Sequence, residues 1–222
     1  MIDTALSFIA PHHCCGCDKV GCLLCDNCKY NIVSEQKMVC IVCGRPTGRT
    51  RLCNTCRVPY QRVWVVGERE GVLQRLVGLY KFSRAKAAYK DIGDLLLVVL
   101  PELPDNTVIV PIPTVYGHIR ERGYDHMLLI ANYVAKRRNL KCQRLIGRKT
   151  DTKQRQSTAI QRAKQAKSAF EIRGKIDSDK IYLLIDDVVT TGATIKYAAK
   201  ALRDAGAENI WVAVVARQVL GR

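Results

Sequence analysis

The stretch IYLLIDDVVTTGATI, from Ile181 to Ile195, decides the fold of this chain. Its apolar, β-branched beginning predicts a buried strand, and its small and hydroxyl-bearing end predicts a turn that opens a helix. Two adjacent carboxylates, Asp186 and Asp187, lie between the strand and the turn. Open α/β sheets bind ligands at the carboxyl ends of their strands. We therefore expect a ligand site at this strand-to-helix crossing.

The turn at Thr190–Thr194 has the features of an anion site. Free backbone N–H groups and the helix dipole attract phosphate, Gly192 permits close approach, and threonine hydroxyls can donate to phosphate oxygens. It is not a Walker A loop, because the G-x4-G-K-[ST] pattern is missing. The two carboxylates would repel a phosphate, so they are expected to serve vicinal ribose hydroxyls or a nearby divalent cation. The stretch predicts a sugar 5′-phosphate ligand.

Apolar runs elsewhere in the chain alternate between strand and helix periodicity. The expected strands cover residues 62–70 (with a turn), 106–113, 143–147, 181–185 and 209–215, and the expected helices cover 71–100 (one or two helices), 125–138 and 192–205. This alternation predicts an α/β fold, a parallel sheet flanked by helices with right-handed crossovers. The 222 residues can hold one such core and a small accessory module.

The accessory module is indicated by cysteines, of which ten of the eleven precede residue 57. Without a secretory signal disulfides are disfavoured, and paired C-x2-C knuckles are typical of structural Zn2+ sites. We expect two closed, non-catalytic zinc sites within residues 1–60, leaving 61–222 as the main domain. Their ligands would be Cys14, Cys17, Cys25 and Cys28, and Cys40, Cys43, Cys53 and Cys56. A single zinc with spare thiols, a Cys22–Cys25 pair, and interleaved ligand sets all stay open.

The net charge of +16 predicts an anionic partner or ligand. Fourteen Lys or Arg stand against two acids between Lys136 and Lys175, a net +12 in forty residues. Phe170 is the only aromatic residue there, which disfavours a base-stacking platform, and a solvated basic loop is the simpler alternative. No apolar run approaches the roughly 20 residues that span a bilayer, and we expect a cytoplasmic protein.

The segment LLIDDVVTTGATI resembles the thirteen-residue signature of type I phosphoribosyltransferases. The resemblance implies a type I phosphoribosyltransferase-like fold that binds phosphoribosyl pyrophosphate (PRPP). Asp186 and Asp187, the candidate catalytic residues, would hold the ribose 2′- and 3′-hydroxyls. The 5′-phosphate would be held by the following turn: Val188, Val189, Thr190, Thr191, Gly192, Ala193 and Thr194.

A wider pattern resembles the ComF family of competence-associated proteins over nearly the whole chain. It comprises the cysteine knuckles, LVGLYKFSR, VPIPTVYGHIRERGYDHM, and a basic segment ending in SAF. The resemblance implies pyrophosphate contacts from Pro111, Ile112, Pro113, Thr114, Arg120 and Arg122. The family's R-G-F-N-Q reads here as Arg122 to His126, so an amide pair has become Asp125 and His126. In the basic segment Gln154 and Arg162 fit the family, whereas Ser157 and Gln165 replace a usual leucine and asparagine.

The implied reaction is transfer of phosphoribose to an acceptor. Pyrophosphate would leave with Mg2+ bound to its oxygens, while an oxocarbenium-like positive charge develops on the ribose ring. Arg120, Arg122 or a closing loop at 148–167 would neutralise the pyrophosphate and exclude water. His118, His126 and Asp125 are candidate bases, although a lone histidine is more often structural. The KFSR residues Lys81 and Arg84 would line the pocket or form a solvated helix end, and we favour the second.

Two functions are therefore predicted. The first is a phosphoribosyltransferase acting on an unknown acceptor. The second is a PRPP-responsive, non-catalytic protein that binds single-stranded DNA in natural transformation, with competence or recombination proteins as partners. The zinc module would contribute to the DNA surface in the second case, or simply cover the active site in the first.

Overall fold

The computed structural model describes residues 12–48, 51–82, 85–148 and 170–218. The helices are α1 (Asp26–Ser34), α2 (Gly71–Phe82), α3 (Ala88–Val99), α4 (Tyr116–Arg122), α5 (His126–Arg137) and α6 (Ala193–Asp204). The strands are β1 (Arg62–Glu68), β2 (Thr107–Pro111), β3 (Lys141–Cys142), β4 (Ile146–Arg148), β5 (Phe170–Ile172), β6 (Ile181–Val189) and β7 (Asn209–Arg217).

Five strands form a wholly parallel sheet in the order β1-β7-β6-β2-β3, and β4 pairs with β5 in a separate antiparallel ribbon. The expected parallel sheet is confirmed. Side chains alternate across it, so that along β6 Leu183 and Ile185 enter one buried layer while Tyr182 and Leu184 enter the other. Helices α2, α3 and α5 pack in the first layer, and α6 packs in the second.

The strand β6 extends further than its sequence predicts, to Val189 instead of Ile185. The extension exists because β7 also continues, to Arg217, and supplies parallel partners for Val188 and Val189. Asp186 and Asp187 therefore lie within the last residues of β6, and the strand fixes their backbone conformation. Their fixed backbone is a better platform for a site than a free loop.

The strand predicted at residues 143–147 is wrong as placed. Residues 141–142 pair with β2, while 146–148 pair with β5 in the ribbon, and Gln143 N donates to the Ile109 carbonyl at 2.9 Å between them. The apolar Leu145 and Ile146 are buried with Phe170 beside the sheet. A short apolar run could not indicate which of the two sheets it would join.

The cysteine-rich segment packs directly on the main sheet and helices. Leu23 and Leu24 belong to the same buried layer as α2 and α3, and Lys29 of α1 forms ion pairs with Asp91 (3.1 Å) and Asp94 (3.3 Å) of α3. None of the helices in the described ranges is long and apolar enough to cross a membrane.

Candidate functional site

A cleft of about 310 Å3 opens at the carboxyl ends of β2 and β6. Residues from five separate segments line it: Lys81 and Phe82 of α2, Ile112–Val115 after β2, His118, Arg122, His126 and Met127 of α4 and α5, Arg148 of β4, and Asp186, Asp187, Val188 and Thr194. It lies where the sequence predicts a ligand site. The mouth is partly apolar, with Phe82 71% and Val115 44% exposed.

The two carboxylates at the floor of the cleft are buried and held differently. Asp187 Oδ2 lies 2.6 Å from His126 Nε2 and accepts from Lys81 Nζ at 2.7 Å. Asp186 Oδ1 accepts the backbone N–H of Asp187 at 2.9 Å. Asp187 is therefore fixed by side chains from α2 and α5, whereas Asp186 is held by the backbone of β6.

The pair carries unequal charge. Burial and the negative charge of Asp187 raise the pKa of Asp186 to about 8. Burial alone would also raise the pKa of Asp187, but the hydrogen bond from His126 and the charge of Lys81 outweigh it and lower that pKa to about 2. These opposite shifts favour an ionised Asp187 beside a protonated Asp186 at neutral pH.

The turn after β6 places a helix N-terminus beside the carboxylates. Gly192 is the N-cap of α6 with φ +73°, a conformation that suits glycine, and Lys196 N closes the first helical hydrogen bond on its carbonyl at 2.9 Å. Thr190, Thr191 and Ala193 are exposed, and Ala193 N donates to Thr191 Oγ1 at 3.4 Å. Val189 is buried beneath the turn. Exposed N–H groups at a helix start can bind an anion.

The segment predicted to contact pyrophosphate divides in two. Pro111 ends β2 in the core, and Ile112 N donates to the Ile185 carbonyl at 2.9 Å, which fixes the following residues over the cleft. Pro113 and Thr114 then line it. Arg122 also lines the cleft, whereas Arg120 is exposed on α4 and outside the lining.

The candidate bases have separate positions. Asp125 caps α5 by accepting Leu128 N at 3.2 Å, and it also accepts from Thr114 Oγ1 at 2.9 Å. These hydrogen bonds give Asp125 a structural role as a helix cap. His118 is exposed at the mouth, 3.5 Å from Glu121. His126 is buried against Asp187.

Two further cations, Lys81 and Arg148, line the cleft. The preference for a solvated Lys81 is wrong, because its side chain is only 17% exposed and pairs with Asp187. Arg148 is the first residue of the loop at 148–167 that is expected to neutralise pyrophosphate. It lines the cleft, donates from Nε to the Pro113 carbonyl at 3.0 Å and lies over the Phe170 ring. Burial lowers the pKa of Arg148, and the neighbouring Asp186 carboxyl offsets this only in part.

No local spacing links Lys81 or Arg148 to the acids, so only the fold could bring them together. The expectations for Arg84 and for the basic segment, including Gln154, Ser157, Arg162 and Gln165, lie outside the described residues.

The cysteines form two sets of four, in the sequential pairing. One set is Cys14, Cys17, Cys25 and Cys28, and the other is Cys40, Cys43, Cys53 and Cys56, with all sulfurs in a set within 4.8 Å of one another. The shortest separations, Cys17–Cys25 and Cys43–Cys53, are both 3.6 Å. A zinc–sulfur bond of about 2.3 Å implies about 3.8 Å between tetrahedral sulfurs, so both sets fit Zn2+. Cys15 and Cys22 lie outside them.

Comparisons with known proteins agree with this geometry. Residues 128–220 match the family described as Phosphoribosyl transferase domain. Competence protein ComFC of Bacillus subtilis (strain 168) is 24% identical over 201 residues, which cover 82% of this chain and 79% of that protein. DNA utilization protein YhgH of Escherichia coli (strain K12) is 30% identical over 195 residues, covering 79% and 82%.

Among solved structures, a glutamine phosphoribosylpyrophosphate (PRPP) amidotransferase from B. subtilis aligns with a TM-score of 0.41 and 17% identity. The alignment covers 57% of this chain but only 25% of that longer one.

Proposed function

Because this chain belongs to the ComF family, we propose that it binds PRPP and transfers phosphoribose to an acceptor, releasing pyrophosphate. The observation that carries the proposal is the convergence of two buried carboxylates, a helix N-terminus and three cations on one cleft. Such a cleft offers acceptors for sugar hydroxyls and donors for phosphates side by side.

In the proposed complex each group takes the part of the ligand that suits its charge. Asp186 and Asp187 accept from the ribose hydroxyls, and the N–H groups and hydroxyls of residues 188–194 donate to the 5′-phosphate. The pyrophosphate lies over residues 111–114, where Arg122 and Arg148 offset its charge. Mg2+ carried with PRPP supplies further charge neutralisation on the leaving oxygens. Arg120 is exposed and outside the cleft lining, so we assign it a lesser part.

The chemistry follows from the electrostatics. Bond breaking at the anomeric carbon places positive charge on the ribose and negative charge on the departing pyrophosphate. In the proposed complex the ionised Asp187 would lie beside the positive charge on the ribose, and Arg122 and Arg148 would lie beside the negative charge of the pyrophosphate. The cleft lining and the lowered pKa of Asp187 support this assignment. Groups already fixed by hydrogen bonds stabilise these charges without reorganising.

Calorimetric titration of PRPP with Mg2+ into the wild type and Asp187→Asn tests the binding step. We expect the variant to lose at least about tenfold in affinity, because an amide cannot replace a charge-assisted acceptor for the ribose hydroxyls. Asp204→Asn, at an exposed site on α6, makes the same charge change away from the cleft and should bind as the wild type does.

Pyrophosphate release in the presence of candidate acceptors then tests the transfer step. A folded wild type that fails to bind PRPP would refute the whole proposal, whereas binding without pyrophosphate release under any acceptor would refute only the catalytic part.

The alternative function is non-catalytic, PRPP-responsive binding of single-stranded DNA in DNA uptake, with competence or recombination proteins as partners. It is favoured by the net charge of +16 and by relatives whose names refer to competence and to DNA utilization. Affinity for an oligonucleotide should fall steeply and linearly in log salt if several phosphates are neutralised. A salt-independent or undetectable affinity would eliminate this function.

We also propose that both cysteine sets hold structural Zn2+, that residues 1–60 form the zinc module and 61–222 the phosphoribosyltransferase-like domain, and that the protein works in the cytoplasm. The zinc sites would be closed four-thiolate shells without an open position for chemistry. Metal analysis of the purified protein tests the first statement.

A further inference from the structure

His126 is a buried histidine whose two ring nitrogens are both engaged, on opposite sides. Nε2 lies 2.6 Å from Asp187 Oδ2, and Nδ1 lies 2.9 Å from Arg122 Nη1. Its side chain is 7% exposed at the first position of α5. The imidazole is therefore the bridge between an acid of β6 and a cation of α4.

The partners decide which nitrogen carries the proton. A guanidinium only donates hydrogen bonds, so Nδ1 must accept from Arg122. Thr114 Oγ1, 3.1 Å from Nδ1, donates its proton to Asp125, so it is not a second donor to Nδ1 and the assignment rests on Arg122. The proton of a neutral imidazole then resides on Nε2, from which it is donated to Asp187. An imidazolium would instead place an N–H against the Arg122 N–H.

The ring has little freedom to leave this position. Tyr80 Oη donates to the His126 carbonyl at 2.7 Å, and the Tyr80 ring meets the imidazole edge-on at 6.0 Å between centroids. Tyr124 Oη in turn donates to the Tyr80 carbonyl at 2.8 Å. Arg122 is held too, since its Nε donates to the Lys81 carbonyl at 3.0 Å. Among the described residues, the ring contacts the charged groups of Asp187 and Arg122, and Lys81 pairs with the same Asp187 oxygen.

The surroundings of the Asp187 carboxylate are asymmetric. Its contacts with His126 and Lys81 both lie on Oδ2. A carboxylate held by one oxygen presents the other in a fixed direction, which is the condition for a precise hydrogen bond to a ligand hydroxyl.

We propose that His126 is a positioning residue: as a neutral imidazole protonated on Nε2, it orients the Asp187 carboxylate toward ribose and holds the Arg122 guanidinium toward pyrophosphate. This inference rests on the proposed PRPP site. It assigns His126 no proton transfer to the substrate. A glutamine side chain also combines one acceptor with a donating N–H2 group, so it should largely replace the histidine, whereas leucine cannot.

Nitrogen-15 NMR of the unliganded protein labelled at its four histidines tests the tautomer directly. The His126 signals, identified by their loss in His126→Gln, should show a protonated Nε2 and an unprotonated Nδ1 at neutral pH. A protonated Nδ1, as the other tautomer or as imidazolium, would overturn the proposal. This readout does not depend on PRPP.

Titration of PRPP with Mg2+ into three variants tests the consequence. His126→Leu should lose at least about tenfold in affinity, since hydrogen bonds to charged groups are lost on both sides of the ring. His126→Gln should stay within about threefold of the wild type, a rescue that the packing of a merely structural residue would not give. His12→Leu, at an exposed histidine outside the cleft, should leave binding unchanged.

Circular dichroism and zinc content establish that each variant is folded before it is titrated. Equal binding by His126→Leu and the wild type would overturn this inference while leaving the PRPP site intact, as would a failure of His126→Gln to bind when it is folded. A wild type that does not bind PRPP would overturn the proposed function, and the positioning role with it.

Discussion

Two adjacent buried carboxylates cannot both be ionised without a large cost in free energy. The residues around β6 reduce this cost by giving the two carboxylates opposite pKa shifts. Lys81 and His126 contact Asp187, while Asp186 has only the backbone N–H of its neighbour as a described hydrogen-bond donor. The extra proton on Asp186 reduces the negative charge that an incoming polyphosphate meets. The arrangement therefore favours binding of an anion to a site that also needs acids.

The raised pKa of Asp186, about 8, predicts a specific pH dependence of stability. An unfolded aspartate releases its proton near pH 3.9, whereas the folded protein retains it, so this residue costs the fold progressively more stability as pH rises toward 8. Asp186→Asn keeps the oxygen that accepts the Asp187 N–H and cannot ionise. We expect the melting temperature of the variant to exceed that of the wild type by more at about pH 8.5 than at about pH 5.5.

Thermal unfolding of both proteins at the two pH values measures this difference. Asp204→Asn serves as the control, because within the described ranges the exposed Asp204 carboxylate pairs only with Lys200, on the surface of α6. It should change the melting temperature slightly and by the same amount at both pH values. A pH-independent difference for Asp186→Asn would contradict the shifted ionisation.

At the scale of elements, the turn between β6 and α6 depends on one residue with a left-handed backbone. Gly192 has φ +73°, which costs any residue with a Cβ about 1 kcal/mol. Gly192→Ala should therefore lower the free energy of unfolding by about that amount and weaken PRPP binding, because the N–H groups of the turn would shift. Chemical denaturation and calorimetry measure the two effects.

Gly78 of α2 is the matched control for this substitution. It lies inside a helix, and a Cβ built there meets nothing within 4 Å. Gly78→Ala should stabilise the protein by about 0.5–1 kcal/mol, since alanine has the higher helix propensity. If Gly192→Ala stabilised the protein as Gly78→Ala should, the backbone strain assigned to Gly192 would be absent.

The order of elements follows from local sequence, but their ends do not. Periodicity predicts β6 and α6 because each has an apolar pattern of its own. The added residues 186–189 of β6 depend on β7, which continues alongside them. Similarly, the short run at 141–148 divides between two sheets according to which neighbour each residue meets. Pairing partners are tertiary information, and a single segment carries none of it.

At the scale of the whole molecule, the part of the site that local sequence dictates differs from the part that depends on tertiary packing. The acids and the phosphate turn come from one continuous segment, so their proximity is dictated by chain geometry. Lys81, His126 and Arg148 reach the cleft from α2, α5 and β4, and their approach depends on how these elements pack. Sequence reasoning identified the residue types for the ligand, but it could not pair Lys81 and His126 with Asp187.

The cysteine module is joined to the rest of the molecule by shared cores. Cys14, Cys25 and Cys28 are buried in the layer that contains Leu76 and Ile92 of α2 and α3. From the second set, Cys40 is fully buried, and its neighbour Ile41 packs in the opposite layer with Val63 of β1. Unfolding of either knuckle would therefore expose apolar surface of the main sheet.

This shared packing predicts that losing one zinc lowers the stability of the entire molecule. Cys17→Ser and Cys43→Ser each remove one exposed sulfur from a different set, so native mass spectrometry should find one tightly held Zn2+ in each variant and two in the wild type. Cys22→Ser, in the same module but outside both sets, should retain two Zn2+ ions.

Calorimetry should show the single main unfolding transition shifted to a lower temperature in Cys17→Ser and Cys43→Ser, because the knuckles and the sheet bury common surface. A main transition that stays at the wild-type temperature after loss of zinc would mean that the module unfolds independently. Zinc would then contribute nothing to the stability of the two buried layers.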